Sequence, residues 1–176
     1  MMSEVRDLRA HVRSIPDFPS AGILFRDITP LLAHPDAFKT SVSLLARQFS
    51  GRGVTTVAAA EARGFIFAAP LAIALGASFV PIRKPGKLPF DTDAFHYELE
   101  YGSDSLEVHR DAFHAGARVL LVDDLLATGG TMGACVELVR PSGAEILACA
   151  FVIELTGLGG REILAPLEVF SLVQYD

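Results

Sequence analysis

The segment VLLVDDLLATGGT, Val119 to Thr131, sets four apolar residues ahead of two adjacent carboxylates, Asp123 and Asp124. It then passes through Ala127, Thr128, Gly129 and Gly130 to Thr131, a loop with almost no side chains. A continuous apolar run before a turn reads as a strand buried on both faces, the pattern of a parallel sheet. The two acids then stand at the carboxyl end of that strand, where open α/β sheets bind ligands. A small-residue loop leading into a helix leaves N–H groups and hydroxyls free to close around an anion at the positive helix terminus. Neighbouring carboxylates repel one another unless solvent, ligand hydroxyls or a cation relieves them. A sugar phosphate suits both halves, with the phosphate in the loop and vicinal hydroxyls on the acids. The plainer alternative is an acidic strand end followed by a flexible turn. The Gly-Lys-Ser/Thr of a P-loop and the G-x-G-x-x-G of a dinucleotide fold are both absent.

Outward from this stretch the chain alternates in the same way. TTVAAA (55–60), SFVPIR (78–83), Arg118 to Asp124 and EILACAFVIELT (145–156) read as buried strands, and VFSLVQY supplies one more. RGFIFAAPLAIALGA holds a helix, a second spans Gly129 to Val139 before Pro141, and a third runs from Pro35-Asp36 to the break at Gly51 to Gly53. The fold class is therefore α/β, a central parallel sheet flanked by helices. Val5, Leu8, Val12 and Ile15 recur at helical spacing, which predicts an N-terminal helix capped by Ser3 and ended by Pro16. The prolines and glycine of residues 16–32 predict an irregular arm, so residues 1–34 read as helix plus arm. Residues 84–109 interrupt the alternation. Lys84 to Phe95 lacks periodicity, and YELEY and SLEVH alternate around Gly102-Ser103, which predicts a mobile flap on a β-hairpin stem.

The 176 residues suit one domain, 51% apolar and 20% charged, a globular composition. A net charge of -6 argues against nucleic acid, whose binders concentrate Lys and Arg on one face. No run of apolar residues is long enough for a membrane span, and the charged N-terminus has no signal-like core. Cys135 and Cys149 are the only cysteines, too few for a disulfide scaffold or a four-ligand zinc site. A cytoplasmic protein with two buried thiols is expected. The five histidines are scattered without metal-ligand spacing.

The Val119–Thr131 stretch resembles the phosphoribosyl pyrophosphate signature of the type I phosphoribosyltransferases. IPDFPSAGILFRDITPLL (15–32), EARGFIFAAPLA, IRKPGKLP, YELEYG and the terminal SLVQYD extend the likeness over nearly the whole chain, in the order of the adenine-specific members. Ile15 stands where those members often have Phe, and Arg140-Pro141-Ser142 replaces a more usual glycine-bearing helix end. The resemblance implies transfer of phosphoribose to adenine, giving AMP and pyrophosphate, with Mg²⁺ held through substrate and no direct protein ligand. It also implies a homodimer. Relatives that transfer to another base, or that sense phosphoribosyl pyrophosphate without catalysis, remain the alternatives.

Residue roles follow from the same likeness. Asp123 and Asp124 would take the ribose hydroxyls, and Ala127, Thr128, Gly129, Gly130 and Thr131 the 5-phosphate. The turn Glu61-Ala62-Arg63-Gly64 would be the pyrophosphate loop, with Arg63 as a forked donor and Gly64 permitting close backbone approach; relatives often hold it with a non-proline cis peptide. Arg83 and Lys87 at the flap root would reach the diphosphate on closure, with Lys84 weaker. By alternation alone Glu98 and Glu100 are the polar face of a hairpin strand. The resemblance makes Glu100 the acid/base group and Tyr101 a flap residue closing over the site. Leu24, Phe25 and Arg26 would read adenine by stacking and backbone hydrogen bonds, although Phe25 alone could simply plug the core. Asp27 is expected to fix the arm.

Overall fold

The computed structural model describes residues 7–99 and 102–176. Helical backbone at 7–10 is followed by strands β1 (Arg13–Pro16) and β2 (Leu24–Asp27), which pair antiparallel with Ile15 opposite Phe25. The expected N-terminal helix therefore stops short of Ile15. The reason is local: a residue before proline is pushed out of the α region, so Ile15 is extended and pairs with Phe25 of β2. Two helices come next, α1 (Thr29–Ala33) and α2 (Pro35–Phe49), each with proline in its first turn, where the missing N–H costs nothing. Asp27 fixes the arm as expected, accepting from the N–H of Thr29 at 2.9 Å and its hydroxyl at 2.7 Å. Those bonds, helped by Arg13, hold the Asp27 carboxyl below its usual range.

Five strands form the central sheet: β3 (Thr56–Ala60), β4 (Ser78–Ile82), β7 (Arg118–Leu126), β8 (Glu145–Leu155) and β9 (Val169–Tyr175). Their order is β4-β3-β7-β8-β9 and every pairing is parallel. Helix α3 (Arg63–Leu75) links β3 to β4, α4 (Gly130–Val139) lies between β7 and β8, and the short α5 (Gly160–Leu164) precedes β9. Alternate residues feed opposite layers, as strand geometry requires. Val57, Ala59, Leu120 and Val122 pack with Leu45, Phe67 and Leu71 on one side, while Ala58, Ala60, Val119 and Leu121 pack with Met132, Cys135 and Leu106 on the other. Burial on both faces explains why these strands read as unbroken apolar runs. No described helix is long and apolar enough to cross a membrane.

Strand β7 continues past the acids to Leu126, and α4 starts one residue later than expected because Gly129, at φ 88°, is its cap. The inserted hairpin also departs from its sequence reading. β5 (Thr92–Leu99) and β6 (Gly102–His109) pair in register from Thr92 opposite His109 to Leu99 opposite Gly102. Thr92 to Phe95 is thus strand, and Gly102 and Ser103 belong to β6 rather than to the turn. Buried Leu106 and Val108 hold the hairpin on α4, a tertiary anchor that its local periodicity did not reveal. Arg140–Ser142 forms a 3-10 turn and Gly143, at φ 72°, takes the left-handed position, so the helix end keeps a glycine three residues after Arg140.

The far side of the sheet is braced by Glu154, 2% exposed at the end of β8. Arg161 of α5 donates to both its carboxylate oxygens, Ser171 and Gln174 of β9 donate to Oε2, and Arg161 also donates to the Val169 carbonyl at 2.9 Å. Burial alone would raise the Glu154 carboxyl, but these donors, Arg161 foremost, outweigh it and hold it below its ordinary 4.5. Glu154→Ala is expected to cost about 2 kcal/mol, because it strands the donors around a buried carboxylate; urea unfolding measures it. A folded-state pKa below the unfolded one gives stabilisation that is complete above pH 4.5 and disappears as pH falls through the lower folded value. The gap between wild type and variant should accordingly narrow in acid.

Candidate active site

From the middle of the sheet the chain leaves in opposite directions, through α3 toward β4 and through α4 toward β8. The carboxyl ends of β3 and β7 therefore flank the point where the winding reverses, the place where α/β sheets open a crevice. Both departing helices begin without a side-chain cap: Ala62 precedes α3 and Gly129 precedes α4. Their first N–H groups are unclaimed by side chains and the helix dipoles add positive potential. Two anion-binding termini thus face one crevice.

A cavity of about 230 Å³ lies there, lined by Arg63, Asp123, Asp124, residues 125–132 and Phe151. Asp124 is 5% exposed, and its Oδ2 receives Arg63 Nε at 2.7 Å. Asp123 Oδ1 accepts the N–H of Asp124 at 2.8 Å. Burial first, and the negative charge of Asp124 second, push the Asp123 carboxyl well above its usual range. The crevice thus concentrates carboxylate oxygens at one end and free N–H groups at the other, which fits a ligand with hydroxyls beside an anion.

Glycines make this closeness possible. A Cβ on Gly64 would lie 2.9 Å from Asp123 Oδ1 and 3.2 Å from the Val122 carbonyl, so Gly64 lets α3 dock on the acid-bearing strand. The sequence reading gave Gly64 to diphosphate approach; packing against Asp123 is the constraint found. A Cβ on Gly129 would lie 2.9 Å from the Gly160 carbonyl, and one on Gly160 would lie 2.4 Å from the Ala127 carbonyl. The 127–131 loop and the start of α5 therefore meet backbone to backbone, which the loop sequence gave no means of seeing.

Glu61 directly follows β3 and precedes Arg63 by two residues. The Glu61–Ala62 peptide is cis, as the resemblance led one to expect. Glu61 Oε2 receives Arg83 Nη2 at 3.1 Å and Lys87 Nζ at 3.0 Å, and Oε1 receives the Lys84 N–H at 2.5 Å. Arg83 and Lys87, the two flap-root cations, are thus brought together on a carboxylate to which the sequence assigned no role. Burial would raise the Glu61 carboxyl, but the hydrogen bonds from Lys84, Lys87 and Arg83 prevail and lower it. Lys84 turns away to Asp104, which also accepts from the Tyr97 hydroxyl at 3.2 Å. Glu100 and Tyr101 lie outside the described residues.

The arm reaches the crevice through Phe25, whose ring lies 5.9 Å from the Arg63 guanidinium carbon and meets Phe18 edge-on at 5.1 Å. Phe25 is half-buried, so it does not plug the core, and Leu24 is 46% exposed. The Arg26 guanidinium instead stacks over Tyr175 of β9 at 3.9 Å, so any part it takes at the crevice falls to its backbone. Asp123, Asp124, Ala127, Thr128, Gly129, Gly130, Thr131 and Arg63 share the cavity, Gly64 packs against Asp123, and Phe25 lies beside Arg63. A buried acid directly after an apolar strand was the signal that could have singled out Glu61.

Comparison with known proteins agrees with this geometry. Residues 28–166 match the phosphoribosyl transferase domain family. The chain is 60% identical over 169 residues to the adenine phosphoribosyltransferase of Rhodopirellula baltica, covering 96% of this chain and 82% of that one. It superposes on the crystal structure of adenine phosphoribosyltransferase from Thermoanaerobacter pseudethanolicus with a TM-score of 0.94 at 50% identity, over 97% and 99% of the two chains. The Saccharomyces cerevisiae enzyme, complexed with an imino-altritol bisphosphate and adenine, gives 0.92 at 40% identity over 98% and 99%.

The packing of the phosphate-facing loop is open to a direct test. Gly129 and Gly116 both have positive φ, 88° and 80°, but a Cβ on Gly116 meets nothing within 4 Å. Gly116→Ala should cost about 1 kcal/mol from backbone strain alone, and Gly129→Ala about 2 kcal/mol more through the clash with Gly160. Thermal unfolding of the two variants side by side measures the difference.

Proposed function

The chain belongs to the adenine phosphoribosyltransferases of the type I phosphoribosyltransferase family, and from that premise we propose how its residues divide the reaction. The enzyme transfers the 5-phosphoribosyl group of phosphoribosyl pyrophosphate to adenine, giving AMP and pyrophosphate, a purine-salvage step. The observation that supports our assignment is the meeting of an adjacent acid pair, buried Asp124 and half-buried Asp123, with an arginine and two uncapped helix starts at one crevice. The 176 residues are read as one phosphoribosyltransferase domain.

The loop from Ala127 to Thr131 takes the 5-phosphate at the start of α4, while Asp123 and Asp124 accept from the ribose hydroxyls. Ligand hydroxyls relieve the repulsion between these acids, so the ribose supplies what the empty crevice obtains from Arg63. Arg63 then turns from Asp124 to the diphosphate, joined by Arg83 and Lys87. Phe25 stacks on adenine, and the backbone of Leu24 and Arg26 reads its amino edge, which disfavours bases that present a carbonyl there. Adenine N9 attacks C1 with inversion as the C1–oxygen bond to diphosphate breaks. The electron pair leaves on diphosphate, and Glu100 accepts the adenine N9 proton. Tyr101 closes over the reacting atoms.

The oxygen donors of Asp123 and Asp124 are of the hard type that suits Mg²⁺, and among the described residues no cluster of three acids, histidines or cysteines could cage it. That donor set fits an ion arriving on ribose hydroxyls and diphosphate oxygens and keeping its waters. When bound it would neutralise charge building on the leaving diphosphate. The two thiols, Cys135 and Cys149, are free and buried, and burial pushes Cys149 up to about 12, which leaves it inert; a cytoplasmic setting is proposed as one in which free thiols persist. A homodimer is proposed from the family alone.

Formation of AMP and pyrophosphate from adenine and phosphoribosyl pyrophosphate with Mg²⁺ is expected, with hypoxanthine, guanine, xanthine and orotate run in parallel and poorly used. Asp124→Asn should raise KM for phosphoribosyl pyrophosphate about tenfold, and Glu100→Gln should lower kcat about a hundredfold with little change in KM. Unaltered steady-state constants would remove the residue concerned from the site. Turnover with another base and none with adenine would overturn the base assignment.

A further inference from the structure

Glu61 sits beside the proposed diphosphate site as a carboxylate with two separate tasks. Its Oε1 accepts only the Lys84 backbone N–H, whereas its Oε2 collects both flap cations, Arg83 and Lys87. The turn that carries those cations has other supports. Arg83 exchanges two backbone hydrogen bonds with Glu107 at 2.9 and 2.7 Å, Gly86 N–H donates to Glu107 Oε2 at 3.2 Å, and Arg83 Nη1 donates to the Lys87 carbonyl at 3.3 Å. The Oε2 contacts are therefore not needed to shape the turn; they occupy the cations. Arg83 Nε is buried and has no hydrogen-bond partner among the described residues, so this guanidinium retains a donor that Glu61 does not use.

We propose that Glu61 is a positioning residue that holds Arg83 and Lys87 and competes with the incoming diphosphate for them. The inference rests on the assignment of those two cations to diphosphate. Glu61 stays ionised because its donors hold its carboxyl below the usual range, so it opposes a polyanion unless the cations stand between them. Affinity for diphosphate is thereby tempered. The same carboxylate reclaims Lys87 and Arg83 as pyrophosphate departs, which restores the empty arrangement without leaving a buried charge unpaired.

The test separates charge from shape. Glu61→Gln retains an oxygen for the Lys84 N–H but removes the anion that holds the cations. Calorimetric titration with pyrophosphate and Mg²⁺ should show a Kd about fivefold lower than wild type, and KM for phosphoribosyl pyrophosphate should fall with KM for adenine unchanged. A residue that only supported the fold could not tighten ligand binding when replaced. Unchanged or weaker pyrophosphate binding in Glu61→Gln, with Lys87→Ala still weakening it, overturns the proposal while sparing the diphosphate assignment. Loss of any effect in Lys87→Ala overturns that assignment and the proposal with it. Should Glu61→Gln fail to fold, Glu61→Asp, which withdraws the carboxylate by one methylene, should tighten binding in the same sense, and weaker or unchanged binding there is equally fatal.

Discussion

The pairing of Arg63 with a nearly buried Asp124 is the contact on which the rest of the site depends. Two carboxylates at the end of a buried strand carry a desolvation cost and a mutual repulsion, and neither can be relieved by water alone. One is relieved by Arg63, which is the first residue of α3. The other shows its discomfort in a carboxyl lifted well above its normal range. Everything around them serves to keep that charge at one place: the sheet fixes the strand ends, Gly64 admits α3 to within reach of Asp123, and the helix starts supply positive potential. A looser packing would let the acids swing into solvent and lose the definition a sugar needs.

The constraint propagates through backbone contacts rather than through side chains. Gly129 and Gly160 touch because neither has a Cβ, and so α5 sets the position of the 127–131 loop. α5 is itself held by Arg161 on the buried Glu154, which also gathers Ser171 and Gln174 of β9. An edge strand of the sheet is thus tied to the 127–131 loop through one carboxylate and two glycines. The next strand residue, Tyr175, carries the stacked guanidiniums of Arg26 and Arg9, which anchors the base-facing arm to the same edge. Loop and arm share a foundation, so their separation is set by the sheet.

Much of this was legible in the chain because two signals there are local. Apolar runs broken by turns mark buried parallel strands, and an acid pair before a small-residue loop marks a strand end with an anion-binding helix behind it. What escaped was long-range. Ile15 keeps helical spacing with Val12 and Leu8, but its proline neighbour and its partner Phe25 on β2 decide its conformation. Thr92 to Phe95 lacks periodicity, yet pairing with β6 makes it strand. Glu61 was visible as part of a loop motif, whereas its hold on Arg83 and Lys87 joins residues more than twenty positions apart. Spacing patterns report the face a residue presents to its own element, and they are silent about the element it will meet.

An acidic chain that binds polyanions must arrange its few cations so that the empty site is stable and the filled one is reachable. Here each cation at the crevice already has a carboxylate: Arg63 on Asp124, Arg83 and Lys87 on Glu61, Lys84 on Asp104. The carboxylates of Asp124 and Glu61 are nearly buried, so neither can be left without a partner, and a cation can leave either one only as another donor takes its place. The exchange is also directional. A diphosphate carries more charge than one carboxylate, and a ribose can satisfy Asp124 with hydroxyls once Arg63 has left it. On the proposed assignment, substrate replaces both partners of the Arg63 pair at once, which an isolated phosphate has no hydroxyls to do. The proposed recognition of sugar and diphosphate together would thus follow from how the crevice balances its own charges, and the net acidity of the protein is compatible with it.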